Sequence, residues 1–394
     1  MNFIKEKKDF IISFFYYLYT FFVSFMVDSN SFNSNYNIAC WVFYLFALVL
    51  FFYKKSFVLF LVSRKYLFIY LFIFFITISS VITPLDFYQS WVGLFKMYSI
   101  FLFGFSTLFL MQKNIIDFIV ICNLLVFSAL IHIFIILRMW FSLLSPMDYD
   151  WVGGLYFSNN IRNFSDYMSI CFFCSLFLID FYEKYVFKVI FIVISIFILT
   201  FLLWSGSRTA YVGVSIGLIF YLYFLKKNNS YFLTVFMIFC STLISLCFTT
   251  NHPSLGIFRA YAQLGNNVDH FSSGRLAIYE KLLEYFSYHP IWGYGGEAVR
   301  QLNVYGRVQA HNSVLQILIE FGLVGLVGCI ILFYRFFSEF NFKGMPLKEI
   351  FIMALLLNVF VSSLFNGGAY YGVILILACF FVTTIYADKN LRTG

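Results

Sequence analysis

The chain has 394 residues, of which 62% are apolar or aromatic and 11% charged, with a mean hydropathy of +0.87 and a net charge of +8. A soluble domain holds about 45–50% apolar and about 25% charged residues. The composition therefore excludes a soluble enzyme, a disordered chain and a nucleic-acid binder, and leaves an all-α polytopic membrane protein. The eight cysteines all lie in apolar stretches. Cys171 and Cys174 form a CxxC inside one of them and read as small buried hydrophobes, with no second pair to make a metal site. The first apolar stretch, Phe10 to Val27, is long enough to span and has no small-residue cleavage site behind it, so it reads as a span and not as a removable leader.

A span needs about 20 mostly apolar residues. In chain order the pattern predicts about 12 transmembrane helices, at 10–27, 38–53, 66–82, 91–111, 116–140, 166–182, 185–203, 209–225, 231–250, 313–334, 347–365 and 369–386. One connection is long, 251–312, and the whole of 1–394 reads as a single membrane domain around it. Cytoplasmic loops carry the excess of Lys and Arg. With the N-terminus inside, Lys5, Lys7, Lys8, Lys54, Lys55, Arg64, Lys65, Lys113, Lys184, Lys188, Lys226, Lys227, Arg335, Lys343, Lys348, Lys389 and Arg392 fall on one side. Both termini are then cytoplasmic and 251–312 is extracytoplasmic.

The side opposite the lysines is rich in arginine: Arg138, Arg162, Arg208, Arg259, Arg275, Arg300 and Arg307 remain there, with only Lys96 and Lys281 beside them. Charge bias gives no reason for that choice. The planar guanidinium fork binds phosphate or carboxylate in two-point fashion, and Lys does not replace it. These residues read as an anion-binding set facing outward.

Three stretches carry polar chemistry. Trp204-Ser205-Gly206-Ser207-Arg208-Thr209 is a very short link between two spans, which puts Arg208 at a helix end at membrane depth, where ionisable groups usually line a site. In the long connection, Ser272-Ser273-Gly274-Arg275 reads as a turn and helix start. Leu276, Ile278, Tyr279, Leu282, Leu283 and Phe286 then form the apolar face of a helix lying in the membrane interface and ended by Pro290. Gly293-Tyr294-Gly295-Gly296-Glu297 follows, with Gly293 and Gly295 as candidate anion-nest positions. The third stretch, Ala310 to Gly325, begins with His311-Asn312-Ser313, where Asn312 or Ser313 caps the entering span. Against the positive end of that helix His311 is expected to be neutral and able to take a proton from a sugar hydroxyl. Glu320 lies deeper and needs a partner. His132, His252, His270 and His289 have no comparable setting.

Ser-Gly-Ser-Arg-Thr, Ser-Gly-Arg, His-Pro-Ile-Trp-Gly-Tyr-Gly and His-Asn-x9-Gly-x-x-Gly, in this order, resemble the successive motifs of the O-antigen ligase/polymerase family. The resemblance covers about residues 150–335, where Gly153 to Asn160 matches a weaker family segment. It implies a GT-C-like membrane glycosyltransferase of the cytoplasmic (inner) membrane. Such an enzyme acts on its outer face with a polyprenyl-pyrophosphate-linked glycan donor and a glycan acceptor, without metal or other cofactor. Carried over, Arg208 and Arg275 bind pyrophosphate and take part in catalysis, and His311 is the catalytic base. Asn312, Gly293 and Gly295 contribute to substrate binding, as does Arg300 on its charge alone; Arg307 has no motif match. Membrane lipids are partners, with a chain-length regulator and a flippase as further candidates. The family performs two jobs, polymerising O-antigen or related repeat units and ligating the finished chain to the lipopolysaccharide core. Polymerisation is the first expectation here, ligation the alternative. A flippase or other transporter would place broken helices and charges near the midplane in two similar halves, and the sequence shows no internal repeat.

Overall fold

The computed structural model describes residues 2–25, 34–53, 55–158, 160–253, 255–257, 275–367 and 372–393, and among them every regular element is a helix. They are α1 (Asn2–Val23), α2 (Ser34–Tyr53), α3 (Lys55–Leu61), α4 (Leu67–Ile82), α5 (Phe87–Gln112), α6 (Phe118–Ser142), α7 (Ile161–Phe181), α8 (Tyr185–Trp204), α9 (Arg208–Leu225), α10 (Asn228–Ser245), α11 (Arg275–Tyr288), α12 (Ala298–Leu302), α13 (Ser313–Ser338), α14 (Leu347–Asn366) and α15 (Gly372–Thr393). Each of the twelve expected spans falls on one of these helices. Among the described residues, eight are long and apolar enough to cross a membrane: α4 with the 3-10 turn before it, α5 to α9, α13 and α14. The apolar parts of α2, α10 and α15 are shorter. The turn expected at Ser272-Ser273-Gly274 lies outside the described residues, as does Arg259.

The charge separation seen in the sequence is present in space. Lys227 pairs with Asp180 at 3.0 Å and Lys348 with Asp388 at 2.9 Å, all at the bundle end opposite to Arg162, Arg208 and Asn366.

α7 is the central helix. Some 89% of its apolar window is buried inside the protein, against 39% for α8, and it packs on α6, α8, α9 and α14. Its polar side chains therefore face protein, not lipid. α9 approaches α14 through Gly213 and Gly217, a small-xxx-small pair of the kind that lets membrane helices touch backbone to backbone. A Cβ at Gly213 would stand 2.8 Å from the Asn358 carbonyl, and one at Gly217 2.7 Å from that of Ala354. This contact brings the N-terminus of α9 beside the C-terminus of α14.

α13 is broken at Gly322, whose φ of 63° and ψ of −161° are open in practice only to glycine. A continuous helix would bond Leu323 N–H to Ile319 C=O and Val324 N–H to Glu320 C=O. Instead the chain 290–295 threads through the gap. Leu323 N–H donates to Pro290 C=O (2.9 Å) and Val324 N–H to Ile291 C=O (3.3 Å), while Tyr294 N–H and Gly295 N–H donate to Ile319 and Glu320 C=O (2.9 and 2.8 Å). These two freed donors and two freed acceptors are thus satisfied, as burial requires. Gly322→Ala would drive its Cβ into the Ile291 carbonyl. It is expected to cost about 3 kcal/mol or more, read as loss of folded protein in a detergent thermal-unfolding assay.

The segment from α11 to the start of α13 builds its own small core from Ile278, Leu282, Tyr294, Val299, Val304, Leu315 and Ile319. The described part of α11 runs from Arg275 and stops before Pro290, as expected. Its apolar face is divided, however. Ile278 and Leu282 are buried against α13, whereas Leu276 and Leu283 are exposed. The helix docks on the bundle and does not merely lie in an interface.

Candidate functional site: three arginines around His311

Five elements deliver side chains to one end of the bundle. The loop 150–160 is drawn into turns by Asp150, whose carboxylate accepts from Val152 N–H and Gly153 N–H, and Asn160 then caps α7 by accepting from Arg162 N–H at 2.9 Å. This starts α7 at Ile161 and places Arg162, Asn163 and Asp166 in its first two turns. The Ser-Gly-Ser link makes the tight reversal from α8 to α9, with Gly206 at φ 65° and Ser207 N–H donating to Ser205 Oγ. Arg208 is consequently the first residue of α9.

Arg275 is the first described residue of α11, and its guanidinium donates to the Phe365 carbonyl at the end of α14. One turn later Tyr279 Oη donates to the His311 carbonyl (3.2 Å). Asn312 is the cap of α13, its side chain accepting from Leu315 N–H at 3.0 Å. His311, just before it, is held at φ 53° in the left-handed region, which costs a non-glycine residue about 1 kcal/mol or more and persists only when the surroundings impose it. Gly367, the left-handed cap of α14, packs on the His311 backbone so closely that a Cβ there would lie 3.3 Å from its Cα. His311 is thus clamped by α11 on one side and α14 on the other.

The electrostatics follow. Arg162 lies within reach of Arg208, and both Arg162 and Arg275 act on Asp166 and on His311. Burial first, then the guanidiniums of Arg275, Arg162 and Arg307, push the His311 pKa down to about 4. The neutrality expected from the helix end is present, with a stronger cause. A group whose pKa is lowered in this way stays neutral through the physiological range. The kcat/KM of an enzyme using it as a base should therefore be flat from pH 7 down to about pH 5.5, with its acid limb near 4. An acid limb near the ordinary histidine value would contradict the assignment.

The structure brings Arg275, His311 and Asn312 together, with Arg208 beside Arg162. From the wider outward arginine set it adds Arg162 and Arg307, and it also adds Asp166, Tyr279 and Asn366, which the sequence reading did not assign. Asp166 is fully buried and accepts from Asn366 Nδ2 at 2.9 Å. Three expected members sit elsewhere. Arg300 pairs with Glu297 at 3.7 Å, and Glu297 in turn with the buried Lys96 at 3.2 Å. Burial lowers the Arg300 pKa, against the opposing pull of Glu297. Gly293 and Gly295 make no open nest. Gly293 N–H donates to His289 C=O, Gly295 N–H to Glu320 C=O, and the next N–H, of Gly296, to Ser80 Oγ. These glycines serve close packing: a Cβ at Gly293 would stand 2.6 Å from the Ile319 carbonyl. Glu320 finds its partner one turn back, accepting from Gln316 Nε2 at 3.0 Å. With Lys96, Glu297, Gln309 and Gln316 it lines a cavity of about 40 Å³, room for a few waters. His132 is a satisfied core histidine against the Ser24 carbonyl (3.0 Å). The Cys171 and Cys174 side chains are free thiols buried in α7.

Residues 167–330 match the family model described as O-antigen ligase. Over this stretch the chain is similar to the O-antigen ligase family. No curated protein matches it. The matched stretch contains Arg208, Arg275 and His311, while Arg162 and Asp166 lie just before it and Asn366 reaches the same site from the next helix beyond its end. Members of that family are glycosyltransferase-like enzymes, and the eight apolar helices among the described residues mark this chain as membrane-integral. Among the described residues, no group of three or more His, Cys, Asp or Glu side chains is close enough to hold a metal ion.

Proposed function

We propose that the protein is a GT-C-type glycosyltransferase of the cytoplasmic membrane. It joins polyprenyl-pyrophosphate-linked repeat units into O-antigen or a related surface polysaccharide at the extracytoplasmic face. The observation that carries the reading is the gathering of Arg162, Arg275 and Arg307 around a neutral histidine, with Arg208 beside Arg162.

The step balances simply. Nδ1 of His311 has no hydrogen-bond partner among the described residues, and it takes the proton of the acceptor hydroxyl. The hydroxyl oxygen forms its bond to the anomeric carbon as the bond from that carbon to the pyrophosphate oxygen breaks. The electron pair leaves with the lipid pyrophosphate, whose developing charge the guanidiniums stabilise without rearranging. Attack from the face opposite the leaving group inverts the anomeric centre. Fixed cations in a water-poor site supply the charge stabilisation that a divalent ion supplies in other enzymes of this chemistry, so added chelator should leave the rate unchanged. All twelve hydrophobic stretches act as spans in this reading, with both termini cytoplasmic. Lysine pairing at the opposite end supports that orientation.

The test is a gel of surface polysaccharide from a deletion strain, with the lipid-carrier fraction beside it. Core capped by a single repeat unit is the result expected for a polymerase. Bare core with long polymer on the carrier would make the protein a ligase instead, and an unchanged ladder would contradict both.

A further inference from the structure

The three guanidiniums account for a diphosphate but leave the floor of the site unexplained. Asn163 is 1% exposed, yet neither its Nδ2 nor its Oδ1 has a hydrogen-bond partner among the described residues. Asp166, one turn further along the same face of α7, is 2% exposed; Asn366 occupies its Oδ2, and its Oδ1 has no partner. Buried polar groups are nearly always paired. Leaving three such atoms unpaired on one helix face is costly, and an apolar residue in their place is usually tolerated better. α7 is otherwise the most buried helix of the bundle, so the sequence had every packing reason to place Leu at 163. Their position is specific as well: Asn366, which orients Asp166, is followed by Gly367, which packs on the His311 backbone.

We infer that Asn163 and Asp166 form a sugar-hydroxyl subsite beside His311, distinct from the arginine set and reading the glycan, not the phosphate. The chemistry selects the ligand class. An open carboxylate oxygen repels phosphate and accepts from O–H or N–H groups. An amide with both ends open matches a hydroxyl, which donates and accepts at once. A polyhydroxylated, uncharged sugar ring, with or without an acetamido group, satisfies both residues together. Asn366 fixes the carboxylate so that Oδ1 keeps one orientation.

This inference rests on the transfer reading above, and one experiment separates the two. The full chain is purified in detergent, and initial rates are measured with polyprenyl-pyrophosphate-linked glycan. Polyprenyl pyrophosphate without sugar serves as competitive inhibitor, and thermal unfolding is followed in parallel. Asn163→Leu removes two unpaired atoms. It is expected to unfold no lower than wild type while kcat/KM falls on the order of 10²-fold. Asp166→Asn keeps an acceptor for Asn366 but turns the open acceptor into a donor, and is expected to lose turnover similarly with an unchanged unfolding temperature. The inhibition constant of the sugar-free pyrophosphate is expected to stay at the wild-type value in Asn163→Leu and to stay there or tighten in Asp166→Asn, where a charge that repels phosphate is removed. Full activity of both variants, or inhibition weakened in step with turnover, would overturn the subsite while the transfer reading stands. An inactive wild-type protein would overturn both.

Discussion

His311→Asn is expected to lower glycan transfer about 10³-fold, equivalent to about 4 kcal/mol of transition-state stabilisation, with the protein still folded in the membrane. Asn is the informative replacement because it tolerates the left-handed backbone that His311 adopts (φ 53°). It leaves the clamp from Tyr279 and Gly367 in place and removes only the imidazole. His311→Ala should lose the same activity, with a small additional loss of stability from the strained backbone. The two variants together separate the base from the shape of the loop. Substrate binding should survive in both, so the loss is expected in kcat with little change in KM, measured as initial rates on lipid-linked glycan. Full activity in either variant would remove the base assignment.

The second large effect belongs to the arginines. Arg208→Ala and Arg275→Ala are each expected to lose about 10²-fold in kcat, the usual consequence of deleting one fixed donor from a developing oxyanion. Lysine should rescue neither, since the ammonium carries the charge without the two-point fork. For Arg275 there is a further reason: its guanidinium also donates to the Phe365 carbonyl, and so ties α11 to α14. Two substitutions frame the result. Lys281 is a cation on the same helix, in an exposed pair with Glu284 at 2.8 Å, so Lys281→Ala should be neutral in the same rate assay. Arg300→Ala should lower the unfolding temperature more than the rate, because it disturbs Glu297 beside buried Lys96. A larger effect on rate than on stability would restore Arg300 to the substrate-binding set.

Much of this arrangement is legible in the residues. Hydrophobic runs mark the helices because a membrane span must be apolar over a fixed length, and short polar punctuation such as Tyr182–Lys184 separates α7 from α8. The motif arginines and His311 are legible because charged or titratable groups at span ends need a reason to be there. What escaped the sequence was determined by tertiary packing. The glycines at 293 and 295 offered flexible N–H groups, yet the groups were taken up by α13, which is itself broken at Gly322 to receive them. Nothing in an apolar run shows that one helix will open to admit a loop. Arg162 was visible as a misplaced outer arginine, but Asp166 and Asn366 are two hundred residues apart, and only the packing of α7 on α14 makes them neighbours. A signal did exist for α7: Arg162, Asn163, Ser165, Asp166 and Ser169 crowd polar groups into two turns of what must be a buried helix. A signal also existed for α9, where Gly213 and Gly217 announce a close helix partner.

The most direct test of the central claim is turnover by the isolated protein. The chain, purified in detergent with no ion gradient and no other protein, is incubated with polyprenyl-pyrophosphate-linked glycan and an acceptor glycan. Consumption of the donor with release of polyprenyl pyrophosphate and growth of the glycan, abolished in His311→Asn, is the predicted result. Donor that remains intact under these conditions, with wild-type protein that is demonstrably folded, would contradict it.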